Sequence, residues 1–358
     1  MTTSKSVSKS AILMMMALLA GSAAAQQSQP STVAAPAVKP APEPEVPAVE
    51  QIRMDAAALE PLARSDLARQ FLKATAFLPS VAPRKVLRDK ERTHYYTAAA
   101  AARLPEAQRQ GLEEMELDES FYYNTRYGSP LAYTRPLEVL SENGLGDVAG
   151  KRVLDFGYGT IGHLRLLASL GADVVGVEVD PMLPVLYSEA GDTGAIKAAS
   201  GRSGNLKLVD GQFPATDDVK KAVGDGYDLI VSKNVLKNGY IHPAEKVDPR
   251  RLVHLGVDEE VFLREVFSRL KPGGRMLIYN ICPAPAPPGK PYIPWADGRS
   301  PFSRTQWEAA GFQVVALDRD DGPAVRAMAH ALGWDAGEHP MDLEKDLFAT
   351  WTLVRRPA

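Results

Sequence analysis

The chain has 358 residues, 45% hydrophobic and 24% charged, enough for one large core or a core with a small accessory unit. A formal net charge of -3 supplies no global attraction to nucleic acid or an anionic membrane, so neither is expected as a partner. The single cysteine, Cys282, excludes an internal disulfide framework and a cysteine-based zinc site, and a small buried hydrophobe is its expected role.

Residues 1–25 read as a secretory signal peptide. Lys5 and Lys9 precede the apolar run Ala11 to Ala20, and the small residues Gly21 to Ala25 close it before Gln26. The run is short for a bilayer span, so cleavage after Ala25 is expected, with an uncleaved anchor as the rival reading. The mature chain is then expected in the periplasm or outside the cell, with no membrane span. Residues 26–49 carry Pro30, Pro36, Pro40, Pro42, Pro44 and Pro47 in an Ala-rich setting and read as an extended tether.

Residues 50–135 read as a helical N-terminal extension or cap. Ser65 is placed to cap a helix whose Leu67, Phe71, Ala74 and Leu78 recur on one face, and Ala98 to Ala102 continues toward a second helical stretch broken at Pro105. The segment Phe121 to Pro130 is unusually aromatic. Either Arg126 and Tyr127 close over a bound cofactor, or the segment is a packed hinge between cap and sheet.

Residues 136–358 alternate strand and helix. Strands are expected at Lys151 to Phe156, Val174 to Val179, Asn205 to Val209, Asp228 to Ser232, Arg275 to Ile281, Phe312 to Leu317 and Leu347 to Val354. Helices are expected at His163 to Leu170 and Glu260 to Leu270. The fold class is therefore α/β: a Rossmann-like, seven-stranded, mostly parallel sheet with helices on both faces, plus the helical N-terminal extension.

The chemistry is concentrated at Asp155-Phe156-Gly157-Tyr158-Gly159-Thr160-Ile161-Gly162, where a strand enters a glycine turn and then a helix. Gly157 and Gly159 allow a sharp turn and the close approach of a ligand, or simply make a tight βα turn. Glu178, at the end of the next strand, suits two ribose hydroxyls, or is a solvated strand-end acid. A lone glycine loop also fits a dinucleotide.

These residues resemble the class I S-adenosylmethionine-dependent methyltransferase family. Asp155 to Gly159 is similar to its first motif and Gly176-Val177-Glu178-Val179-Asp180 to its second, whose acid takes the cofactor ribose. Asp210-Gly211 is placed like the acidic position that meets the adenine amino group, and Asp-Gly is also a common turn pair. Tyr227 to Ser232 resembles the fourth strand, and Leu270-Lys271-Pro272-Gly273-Gly274-Arg275 the turn before the fifth. The resemblance covers roughly residues 150–355. It implies S-adenosylmethionine as cofactor, held by Asp155, Gly157, Gly159, Glu178, Asp210, Gly211 and Ser232, with Arg126 and Tyr127 above. Asp155 either orders the loop or meets the methionine amino group. The chain departs from the family at Ile161, where a third glycine is common; Gly162 comes one place late.

Methyl transfer from a sulfonium requires alignment and, at most, removal of a proton. After the fourth strand, Ser232 to His242 lacks the Asn/Asp-Pro-Pro-aromatic pattern of many amino-group methyltransferases, which points to a small-molecule acceptor. His242 is the candidate general base, because its imidazole titrates near neutrality; a surface histidine is the plain alternative. Lys233 and Asn234 either contact ligand or are solvated loop residues. Tyr292 and Trp295 are candidates for the acceptor pocket, and His163 is expected to be exposed. No metal-ligand spacing is evident. Two further functions stay open: an exported binding protein that keeps the fold without the chemistry, and an NAD-dependent oxidoreductase. Oligomeric state is not legible.

Overall fold

The computed structural model describes residues 46–125, 128–197, 201 and 203–358. The expected signal peptide, most of the tether, Arg126 and Tyr127 lie outside the described residues.

Helices α1 (Ala48–Leu59) and α2 (Asp66–Ala74) open the chain. α1 begins inside the stretch read as tether. Ser65 caps α2 as expected, its hydroxyl accepting from the Ala68 N–H at 3.2 Å, and Leu67 and Phe71 face inward. The extension is not purely helical. β1 (Arg84–Arg88), β2 (Tyr95–Thr97) and β3 (Glu113–Leu117) form a three-stranded antiparallel sheet in the order β2-β1-β3. Their alternation is hard to see in sequence because each strand is short, and β1 and β3 are mostly charged. Among them only Val86 and Leu117 are fully buried.

α3 (Thr134–Glu142) runs across the expected boundary at 135/136. Its Leu137, Val139 and Leu140 share one hydrophobic core with Ile52 and Phe71 before it and Val153 and Leu164 after it. The extension therefore has no separate core and packs directly on one face of the main sheet. Arg84 of β1 fixes the small sheet to the body, its guanidinium donating to both carboxylate oxygens of Asp192 at 3.0 and 3.1 Å.

The body contains β4 (Arg152–Phe156), α4 (Gly162–Ser169), β5 (Asp173–Glu178), β6 (Gly194–Lys197), β7 (Ser203–Asp210), α5 (Asp217–Val223) and β8 (Tyr227–Lys233). It continues with α6 (Glu259–Arg269), β9 (Leu270–Cys282), α7 (Arg304–Ala309), β10 (Gln313–Asp320), α8 (Gly322–Ala331) and β11 (Phe348–Arg355). The sheet has eight strands in the order β10-β11-β9-β8-β4-β5-β7-β6. From β9 through β8, β4 and β5 to β7 the pairing is parallel, whereas β11 runs antiparallel between β9 and β10. The Rossmann-like sheet is as expected, with one strand more than the seven anticipated. The addition is β6, an antiparallel edge strand on β7. Gly-Ala-Ile-Lys buries only Ile196, so no pattern marks it.

The winding reverses between β4 and β8: the chain leaves β4 toward β5 and returns on the other side. A doubly wound sheet opens a crevice beyond its carboxyl edge at this point. Leu154, Val175, Ile230 and Ile278 form the second core on the opposite face, with Phe262 and Trp307.

Candidate functional site

A cleft of about 1510 Å³ lies at the carboxyl edge of β4, β5, β7 and β8. This exceeds the roughly 300–1,000 Å³ of a site for one small ligand, so there is room for two molecules. Gly157, Glu178, Asp210 and Gly211 line it. Tyr240, Tyr292 and Trp295 line it as well.

Glu178 ends β5 beside the glycine loop. Its Oε2 accepts from the Gly159 N–H at 3.2 Å and its Oε1 from the Val179 N–H at 2.8 Å. A carboxylate oxygen can accept a second bond, so both retain capacity for vicinal hydroxyls. Burial pushes its carboxyl above the ordinary glutamate range, with Asp180 and Asp155 adding to the rise, although the two backbone N–H groups pull it down. Asp210 lies alongside in register with Glu178 on β7, and burial followed by Asp180 raises it as well. Gly211, at φ +133°, donates its N–H to the Glu178 carbonyl at 2.9 Å and carries Val219 where a side chain would stand. Val179, 59% exposed, and Pro181 add an apolar surface next to these acids. Acceptors for a diol, an acidic strand end and an apolar shelf suit the nucleoside end of a ligand.

The glycine loop serves packing as much as access. Gly157, at φ +79°, has Val235 of the next wall against its α-carbon: an added Cβ would lie 2.4 Å from the Val235 Cγ2. Gly159, at φ +62°, faces Thr125. Gly162, the late third glycine, sits under the cap, where a Cβ would lie 2.3 Å from the Pro130 Cγ. The shifted glycine therefore admits the N-terminal segment against α4.

Asp155 does not line the cleft. It is 1% exposed and points to the helical face, where its Oδ2 meets His163 Nε2 at 3.0 Å. Of its two expected roles, ordering the loop is the one the geometry provides, since His163 stands in the first turn of α4. The expectation that His163 is exposed is corrected: it is 2% exposed and stacked on Tyr133 at 3.7 Å.

His242 is corrected as well. It does not line the cleft; its Nε2 lies 3.0 Å from Glu259 Oε1, an acid on α6. The short helix Asn238–Ile241 turns it away from the ligand wall. Ser232 is fully buried below the cleft, its hydroxyl without a hydrogen-bond partner among the described residues. Lys233 is also off the wall, with its ammonium 5.6 Å from the centre of the Tyr133 ring and its pKa pulled to about 8 by burial and then by Lys237. Asn234 does line the cleft; at φ +64° its Oδ1 accepts from the Ile281 N–H at 2.7 Å. Cys282 is buried, and burial pushes its thiol up. Within the aromatic segment Tyr122 and Tyr123 are buried, and their carbonyls accept from the Tyr187 and Thr160 hydroxyls at 2.9 and 3.1 Å. These described residues form the packed hinge.

Sequence reasoning missed His254, Arg251 and Lys290, which line the cleft from loops without periodicity or motif. Tyr292 and Trp295 are where they were expected. Their loop is pinned by Lys237, whose ammonium donates to the Ile281 and Trp295 carbonyls at 2.6 and 3.2 Å. Gly239 allows the close contact, since an added Cβ would lie 2.0 Å from the Pro294 carbonyl oxygen.

No protein-family model matches the chain, and no curated protein matches it in sequence. Solved structures resemble it at low identity. An S-adenosylmethionine dependent methyltransferase from Mesorhizobium loti is 17% identical, with 63% of this chain and 98% of that one covered at a TM-score of 0.37. Phosphoethanolamine N-methyltransferase 2 of Haemonchus contortus, solved with phosphomonomethylethanolamine and S-adenosylhomocysteine, is 11% identical, with 82% and 75% covered at 0.37. The [4+2]-cyclase SpnF is 16% identical, with 88% and 98% covered at 0.36.

Proposed function

We propose that the chain is an S-adenosylmethionine-dependent methyltransferase acting on a small-molecule acceptor. The observation that carries this reading is Glu178, braced by the Gly159 N–H beside Asp210, in the wall of a cleft with room for a second molecule. When bound, the donor supplies an electrophilic methyl group on a positively charged sulfur that leaves with its bonding pair. Glu178 holds the ribose diol, Asp210 accepts from the adenine amino group, and Val179 with Pro181 supports the base. His254 replaces His242 as the candidate proton acceptor for the substrate, because the residue lines the cleft and its carbonyl is held by Gln212 Nε2 at 2.7 Å. The protein is proposed to act outside the cytosol, on the pattern of its first 25 residues.

Calorimetric titration with S-adenosylmethionine and, separately, NAD tests the donor site. Saturable binding of the first, weakened by Glu178→Ala, supports the proposal; preferential binding of NAD overturns it. A second reading, a binding protein without turnover, is favoured by the displacement of His242 from the cleft. Release of S-adenosylhomocysteine with any acceptor of a small-molecule panel decides against that reading.

A further inference from the structure

The cleft wall carries both signs of charge. Glu178 and Asp210 line it, as do Arg250, Arg251, Lys290 and His254, and the loop of Arg251 is tied to the aromatic wall by the Val253 N–H donating to the Tyr240 carbonyl at 3.2 Å. Arg250 is already neutralised by Asp248, its Nε and Nη2 both within bonding distance of the carboxylate. Arg251 and Lys290 make no side-chain ion pair among the described residues, and Asp248 reaches Arg251 only through space. Among the described residues these two cations have no acidic partner at salt-bridge distance, and the cleft they line is also lined by Tyr240, Tyr292 and Trp295.

The aromatic wall is stiff. Besides the Lys237 staple, the Asn238 N–H donates to the Arg299 carbonyl at 2.8 Å and its side-chain amide to Asp297 Oδ2 at 2.7 Å. Asn280 Nδ2 donates to the Leu236 and Gly298 carbonyls at 2.8 and 2.9 Å, closing the base of the same loop. Rings held this way present a fixed apolar slot and lose little freedom when a flat ligand enters. The cations beyond it are on exposed, solvated side chains and are free to swing onto an anion.

We infer that the acceptor is a small anionic molecule with a planar body: the ring lies among Tyr240, Tyr292 and Trp295, and a carboxylate or phosphate meets Arg251 and Lys290. This rests on the methyltransferase reading for the word acceptor, but the anion site itself does not depend on donor binding. A guanidinium and an ammonium give charge-assisted hydrogen bonds to either anion, and Arg can engage two oxygens together.

The test titrates benzoate, phenyl phosphate and phenol into the full chain without donor, and S-adenosylmethionine in a separate series. At least one anion should bind about tenfold or more tightly than phenol, and its affinity should fall with added salt. Arg251→Ser/Lys290→Ser should lose that advantage while binding S-adenosylmethionine as the parent chain does. Tighter binding of benzoate identifies a carboxylate acceptor, and of phenyl phosphate a phosphate one. Phenol binding as well as both anions, no binding of any probe, or anion binding unchanged in the double variant overturns the inference. Failure of S-adenosylmethionine alone to bind overturns the functional reading and leaves the anion site standing.

Discussion

His163 Nε2 and Asp155 Oδ2 lie 3.0 Å apart inside the protein, and both side chains are almost wholly buried. The pair joins the last turn of a strand to the first turn of the helix after the glycine loop, with Tyr133 stacked on the imidazole. Loop geometry thus depends on an interaction that faces away from the cleft.

Removing the imidazole takes a hydrogen-bond partner from the buried Asp155 carboxyl, at a cost of about 1–3 kcal/mol. His163→Ala is expected to lower the melting temperature clearly and to weaken S-adenosylmethionine binding only through the displaced loop. Thermal unfolding with and without ligand checks this. An unchanged melting temperature would show that the pair carries no structural load.

Glu178 predicts a pH dependence of donor binding. Its carboxyl is held above the ordinary value of 4.5 by burial, and the ionised form accepts the diol. As pH falls through this raised value the group protonates, so affinity should decline at a higher pH than for an exposed glutamate. The linkage to folding has the same origin. Stability from this group is fully present below the unfolded pKa and is lost as pH rises through the folded one. Glu178→Gln should flatten the binding profile, and Glu178→Ala should weaken donor binding about 100-fold. Calorimetry from about pH 4 to about pH 8 is the measurement.

Burial disfavours the ammonium of Lys233 and of Lys237 and pulls each from the ordinary lysine value of 10.5 down to about 8. The unfolded chain therefore binds more protons than the fold across that window. Stability should rise with pH from about 8 toward 10.5, by at most roughly 1.4 kcal/mol per pH unit per lysine, and be lost as pH falls through the folded value. Melting temperatures compared across this range in the parent chain and in Lys233→Met/Lys237→Met check it. An equal climb in the variant would assign the effect to other groups.

Gly157→Ala should destabilise twice over, through its left-handed backbone at φ +79° and through collision with Val235. Adding Val235→Ala removes the collision but leaves a backbone cost of about 1–2 kcal/mol. Partial recovery of the melting temperature in the double variant is expected; full recovery would place all of the cost in the side-chain contact.

Export is tested at the N-terminus. Protein recovered from cells should begin at Gln26 and fractionate with the periplasm or medium. An intact Met1 on cytosolic protein contradicts it.

The sequence alone determined the sheet and the residues at its carboxyl edge. Continuous apolar strands such as Val174 to Val177, a glycine turn and strand-end acids are local patterns, and a parallel strand must end at the same edge as its neighbours. Glu178, Asp210, Gly157 and Gly211 were legible because their positions follow from strand ends. Tertiary packing alone decided the rest. Asp155 occupies the same strand as the loop, but alternation along β4 turns its side chain to the helical face, where His163 meets it. β6 and the small sheet bury too few residues to leave a period. The rest of the cleft wall draws Arg251, His254, Lys290 and Trp295 from loops that meet through Lys237 on the Ile281 carbonyl, Asn238 on Asp297 and the Val253 N–H on the Tyr240 carbonyl. Strand periodicity is written into neighbouring residues, whereas a loop takes its place from contacts with distant ones, and those exist only in the folded chain.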